Sequence, residues 1–172
     1  MSAVTAADVG LLAMRTTVGV VMLAHGYNHI FGCGKISGTA GWFEKLGMRP
    51  GLLHAWTASA TELGAGTLLV LGALTPLAAA GVIGVMVVAW VTNHATNGFF
   101  IFRPGEGYEY VMTLTLAGVA LAGTGAGRIS VDHAAGIFTP PGWGGFALGL
   151  VAGIGGAVCL LAVFWRPGAR VS

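Results

Sequence analysis

Five apolar stretches, each close to the length a helix needs to cross a bilayer, constrain this chain more than any other feature. A spanning helix takes about 20 predominantly apolar residues at about 1.5 Å rise each. Such stretches run over residues 9–31, 52–74, 77–102, 108–126 and 144–165, the fourth reaching span length only if Gly125 and Ala126 extend it. Charged residues make up 8% of the chain, against roughly 25% in an average soluble domain. Eight Lys and Arg with six Asp and Glu cannot cover the surface of a 172-residue soluble domain, whereas a lipid-facing surface removes the need. The chain is therefore expected to be an all-α integral membrane protein. Residues 1–172 form one transmembrane domain, with 128–143 as a connecting loop.

Other classes lose their footing on the same composition. A formal charge of +2 with scattered cations gives no basis for a nucleic-acid partner. Cys33 and Cys159 form no CxxC pair, which argues against a dithiol catalyst and against a disulfide framework. The residues before Arg15 include Asp8 and no Lys or Arg, so the basic start of a cleavable signal is missing and the first stretch is expected to stay as an anchor.

Breakers set the connections. Thr75-Pro76 joins the second and third stretches so tightly that they must form an antiparallel hairpin. Loop one, Gly32 to Gly51, carries Lys35, Glu44, Lys45 and Arg49 around Trp42 and Phe43, the composition of a short interfacial helix. Loop three, Arg103-Pro104-Gly105-Glu106-Gly107, and loop four, with Thr139-Pro140-Pro141-Gly142, read as turns. With five spans, Lys35, Lys45, Arg49, Arg103, Arg166 and Arg170 share one side, against Arg128 and the entry-side Arg15 on the other. The positive-inside rule then puts the loop-one face and the C-terminus in the cytoplasm. Trp42, Phe43, Trp56, Trp143 and Trp165 fall near span ends, as an aromatic belt would. Gly145, Gly149 and Gly153 make a smooth stripe on the fifth stretch. Either the bundle itself packs there, or another subunit or a second copy of the chain does.

Ionisable residues inside spans cost about 2.5–3.5 kcal/mol at mid-helix and so face protein or water. By helical rise His25, His29 and His94 reach similar depth on the loop-one side, where His54 opens the second span, Glu109 opens the fourth, and Asn93 and Asn97 flank His94. A polar cavity open toward loops one and three is expected there, with Glu62 at its floor. The histidines have three readings. They are hydrogen-bonded interior groups; or, with Asn93 and Asn97, they contact a quinone or small substrate while Glu62 or Glu109 relays protons; or His25 and His94 ligate a haem b. No zinc-type ligand set appears. For Glu62 the alternatives are an ion pair with Arg15 or a place in a proton path. Glu109 is equally explained as a helix-start charge.

Four segments in order resemble the DoxX family of small bacterial membrane proteins. They are Arg15 with His25-Gly26; Glu62-Leu63-Gly64-Ala65-Gly66 with Leu71-Gly72 and Thr75; Gly107-Tyr108-Glu109-Tyr110; and Gly125 to Asp132, with Arg128 and Ser130 inside it. The resemblance covers roughly residues 11 to 133 and makes Arg15, His25, Glu62, Glu109, Arg128 and Asp132 the motif positions. His29 and then Lys35 stand where the family commonly has a lysine. The resemblance implies a DoxX-type four-helix membrane bundle, to which this chain adds a fifth, C-terminal transmembrane helix. It further implies a multi-pass protein of the bacterial plasma membrane, a subunit of a redox complex acting with quinone in oxidative-stress or thiol and sulfur metabolism. The alternatives are a non-catalytic anchor or assembly scaffold for soluble redox enzymes and, beyond that, a small-molecule transporter.

Overall fold

The computed structural model describes residues 3–137 and 142–167, and all regular structure among them is helical. Thr139, Pro140 and Pro141 of loop four and Arg170 of the tail lie outside the described residues. The first helix, α1 (Ala6–Phe31), starts on a capping box in which Asp8 N donates to Thr5 Oγ1 at 3.3 Å and Thr5 N donates to Asp8 Oδ2 at 2.8 Å. Thr5 N gains its partner in this way, and Thr5 Oγ1 adds to the Thr5 carbonyl that Asp8 N reaches at 3.1 Å. Loop one folds as the short helix its composition suggested, α2 (Lys35–Lys45), with Phe43 turned inward and both terminal lysines exposed.

Helix α3 (Gly51–Leu71) ends on Gly72, whose φ of 65° suits a residue without a Cβ. Three residues later α4 (Thr75–Ala89) begins with Pro76 in its first turn, giving the expected antiparallel hairpin. The remaining helices are α5 (Glu109–Thr124), the single turn α6 (Val131–Ala134) and α7 (Trp143–Phe164). Among the described residues, three helical segments have the length and apolarity to cross a membrane by themselves: Ala6–Phe31, Thr75–His94 and Trp143–Phe164. α3 has the length, at 21 residues, but turns His54, Ser59 and Glu62 inward. α5, at 16 residues, covers only about 24 Å.

One boundary moves. The third stretch was expected to run to Phe102, but α4 passes into a π-helical turn (Trp90–His94) and the helix stops there. Asn97 Nδ2 donates to Asn93 O at 2.9 Å and to Gly105 O and Glu106 O at 2.5 and 3.2 Å, folding residues 98–107 back on the helix end. Gly98, at φ 78°, makes the turn possible. Apolar Phe99 to Phe102 extended the hydropathy signal past the true end.

α1 packs on α3, α3 on α4, and α4 is flanked by α5 and α7, which also touch each other. Met22, Leu69, Val82 and Leu121 sit fully buried where the first four long helices meet. Glycines set the closest crossing: a Cβ on Gly19 would lie 2.8 Å from Gly66 O, and one on Gly66 would lie 2.7 Å from Gly19 O.

The glycine stripe of α7 takes the first of its two readings, packing within the bundle. It does not offer a face to a further subunit, because α4 and α5 already fill it. A Cβ on Gly145 would sit 2.7 Å from Ala122 O, one on Gly149 2.5 Å from the Ala122 Cβ, and one on Gly153 2.8 Å from the Ile83 Cβ. Gly149, Gly153 and Ala157 are the buried residues of α7, while Val151, Val158 and Val163 on its other side are exposed where lipid would lie. At the loop-one end α7 is pinned to the α2–α3 connection, with Arg166 N donating to Gly47 O at 2.8 Å and Trp165 Nε1 to Leu46 O at 3.0 Å.

Candidate functional site

The polar side chains inside the bundle fall into two groups at opposite ends. At the α3–α4 joint, Arg15 Nη1 donates to Leu69 O and Val70 O, both at 2.7 Å, and Nη2 donates to Ile129 O. Arg15 thus covers Val70 O at the end of α3 and gives Leu69 O a second donor beside Gly72 N. Asp132 accepts from Leu74 N at 2.7 Å, Thr75 N at 2.9 Å and Thr75 Oγ1 at 2.7 Å, capping the start of α4. Asp8 accepts from Arg128 N at 2.9 Å, with Arg128 Nε 3.9 Å from its other oxygen. The ion pair expected between Arg15 and Glu62 is therefore not formed. Crossing at Gly19 and Gly66 aligns Arg15 with the last turn of α3, about 10 Å further along that helix than Glu62.

Glu62 meets His29 instead. Its Oε2 lies 3.1 Å from His29 Nδ1, near enough to share a proton or pair as ions, yet neither atom has a well-aligned hydrogen bond. Glu62 is 2% exposed, so this pair is held away from water. One turn earlier on α1, His25 Nε2 lies 3.0 Å from Tyr110 Oη, with the two rings stacked at 5.7 Å. Gly26, between the two histidines, lets α1 close on Ser59 O and Leu63, which keeps both imidazoles against α3 and α5.

Both pairs open on one cavity of about 660 Å³, within the range of small-ligand sites. His54, Asn93, His94 and Glu106 line it as well, and α2 contributes Trp42 and Phe43. The π-helical turn brings Asn93 and His94 to this wall; insertions of this kind recur at functional sites. His94 Nδ1 lies 2.8 Å from Glu106 O, and its Nε2 lies 3.2 Å from Asn93 Nδ2. A carbonyl only accepts, so Nδ1 carries the proton and Nε2 accepts from Asn93. With both nitrogens engaged, haem ligation by His25 and His94 would have to break one of these bonds. His54 is 3% exposed, lies between the Phe43 and Phe164 rings, and leaves Nε2 without a partner. Among the described residues no group of His, Cys, Asp and Glu could hold a metal ion.

The sequence-derived site residues separate accordingly. His25, His29, Glu62, Asn93 and His94 share the cavity. Asn97 stands behind it, bracing the loop, and Glu109 is outside it, with Oε2 accepting from Ile101 N at 3.3 Å. Arg15, Arg128 and Asp132 belong to the opposite end. Tyr110 and Glu106 are additions. Tyr110 stood in the Gly107–Tyr110 segment, where its place in the first turn of a helix could have marked it. Glu106 acts partly through its backbone carbonyl, which no side-chain pattern reveals.

A bundle of apolar helices around a cavity with one polar wall defines a polytopic membrane protein. The DoxX family model matches residues 10–95, half of the chain, and the protein belongs to that family. The match runs from Gly10 in α1 past the end of the π-helical turn, and takes in the first two of the four motif segments. No curated protein and no solved structure matches the chain.

Proposed function

We propose that this protein is a membrane subunit of a bacterial redox complex in the plasma membrane, with a quinone-type lipid-soluble carrier seated in the cavity, serving oxidative-stress or thiol and sulfur metabolism. The observation that carries the reading is the pairing of His29 with Glu62 and of His25 with Tyr110 on the wall of one cavity. Each pair joins an imidazole to a second proton-bearing group. A ring whose oxygens gain and lose protons on reduction and oxidation needs such partners on both sides. His29 Nδ1 and Glu62 Oε2 stand 3.1 Å apart, close enough to pass a proton from one to the other, and Tyr110 Oη can donate to a carbonyl oxygen when it turns from His25. The apolar remainder of the wall excludes water from the same place.

The test is quinone-linked electron transfer in membranes and quinone binding to the purified protein. Loss in both His25→Ala and Glu62→Gln is expected; full retention in both variants would sink the reading. A scaffold role is favoured by the exposed cations Lys35, Lys45, Arg49, Arg103 and Arg166 on the loop-one face, a surface suited to an acidic soluble partner. A soluble protein that co-purifies reproducibly, together with cavity variants that change nothing, would shift the assignment to that role.

A further inference from the structure

The cavity does not end at its polar wall. It continues as a groove between α3 and α7, floored by α4, where small residues alternate with Leu68, Val85 and Leu160. Ala60 and Gly64 line it on α3, Gly81 and Gly84 on α4, and Ala152 and Gly156 on α7. α3 and α7 both pack on α4 but scarcely touch each other. They are joined at the loop-one end, where Arg166 meets Gly47. Ala60, Gly64, Ala152 and Gly156 are exposed, and on mid-helix positions of membrane-length segments that exposure is toward hydrocarbon. The groove is therefore open sideways to the bilayer. Its α3 wall runs from Thr57 to Leu68, about 16 Å.

We infer that the ligand enters sideways between α3 and α7 and that this groove holds its hydrocarbon tail while the head lies against Glu62. The inference rests on the quinone reading above and adds the tail, the portal and a role for the fifth helix. Continuity is the reason to place a tail there: the unsatisfied Glu62–His29 contact and the small-residue groove are parts of one cavity, so a head seated at the first directs whatever is attached to it into the second. Burial of the tail adds little by itself, because lipid is as apolar as the groove. What the groove provides is room, without which a tailed head cannot seat.

That makes the expected effect steric and selective. A Cβ added at Gly64 or at Gly156 meets nothing within 4 Å, and leucine at either site gains helix propensity over glycine. Gly64→Leu and Gly156→Leu should therefore fold normally, checked by thermal unfolding, and fill the groove. Binding to the purified full chain is then measured with two matched probe pairs: a short-chain menaquinone with menadione, and decylubiquinone with its tailless ring. Affinity for the tailed probe should fall about tenfold in each variant, about 1.4 kcal/mol, while the tailless ring binds within about twofold of wild type. Unchanged binding of the tailed probe, or equal weakening of both, overturns the groove and leaves the head site standing. So does a phospholipid that co-purifies with wild type and leaves the variants without any change in quinone affinity. If wild type binds no probe of either ring class, the quinone reading fails first and this inference with it.

Discussion

The two ends of the bundle use buried polar groups in opposite ways. At the α3–α4 joint, Arg15 and Asp132 spend most of their hydrogen bonds on backbone groups at two helix ends, Val70 O, Leu74 N and Thr75 N among them, with Arg15 Nε left over. In the loop-one half, Glu62 and His29 face each other without good alignment, and His54 Nε2 has no partner. Buried polar atoms are ordinarily satisfied, and those that are not call for an explanation. The first group is explained by the fold. The second is what the proposed quinone site would account for.

The contrast can be broken most forcefully at the joint. Asp132→Ala strands Leu74 N, Thr75 N and Thr75 Oγ1, and should cost about 3–4 kcal/mol. Thermal unfolding in detergent would register it, and a variant as stable as wild type would remove the architectural role. Next in size is Gly153→Leu, which drives a side chain into Ile83 and Ala80 O and should cost about 2–3 kcal/mol. Native mass spectrometry should find its oligomeric state unaltered. A change of oligomeric state at full stability would return the glycine stripe to a subunit interface. Tyr110→Phe is the mildest, removing one bond to His25 for about 0.5–1 kcal/mol of stability. Its quinone affinity should fall several-fold, and unchanged affinity would take Tyr110 out of the site.

Much of this division was legible in the residues. Helical rise alone placed His25, His29 and His94 at one depth, since position along a helix follows from counting. Thr75-Pro76 gave the hairpin for the same local reason. Partners across helices were not legible in that way. Arg15 was expected to reach Glu62, but the stagger of α1 against α3 is decided by the Gly19–Gly66 crossing, a tertiary fact. The four-residue spacing of Gly145, Gly149 and Gly153 announced a smooth face without saying which helix would lie on it. The π-helical turn escaped as well, because Trp90 to His94 carry no pattern that separates it from α-helix. Without it the third stretch was read through to Phe102, and the bond from His94 to the Glu106 carbonyl could not be foreseen.

Equilibrium binding of decylubiquinone and of a short-chain menaquinone to purified wild type and Glu62→Gln, with thermal unfolding followed on the same samples, tests the contrast most directly. The carboxylate is kept for a ligand if wild type binds one of the probes saturably and Glu62→Gln weakens it about tenfold, about 1.4 kcal/mol, with little change in melting temperature. Equal affinity in the two proteins, or a loss of stability on the scale of Asp132→Ala, would contradict it and make Glu62 one more part of the framework.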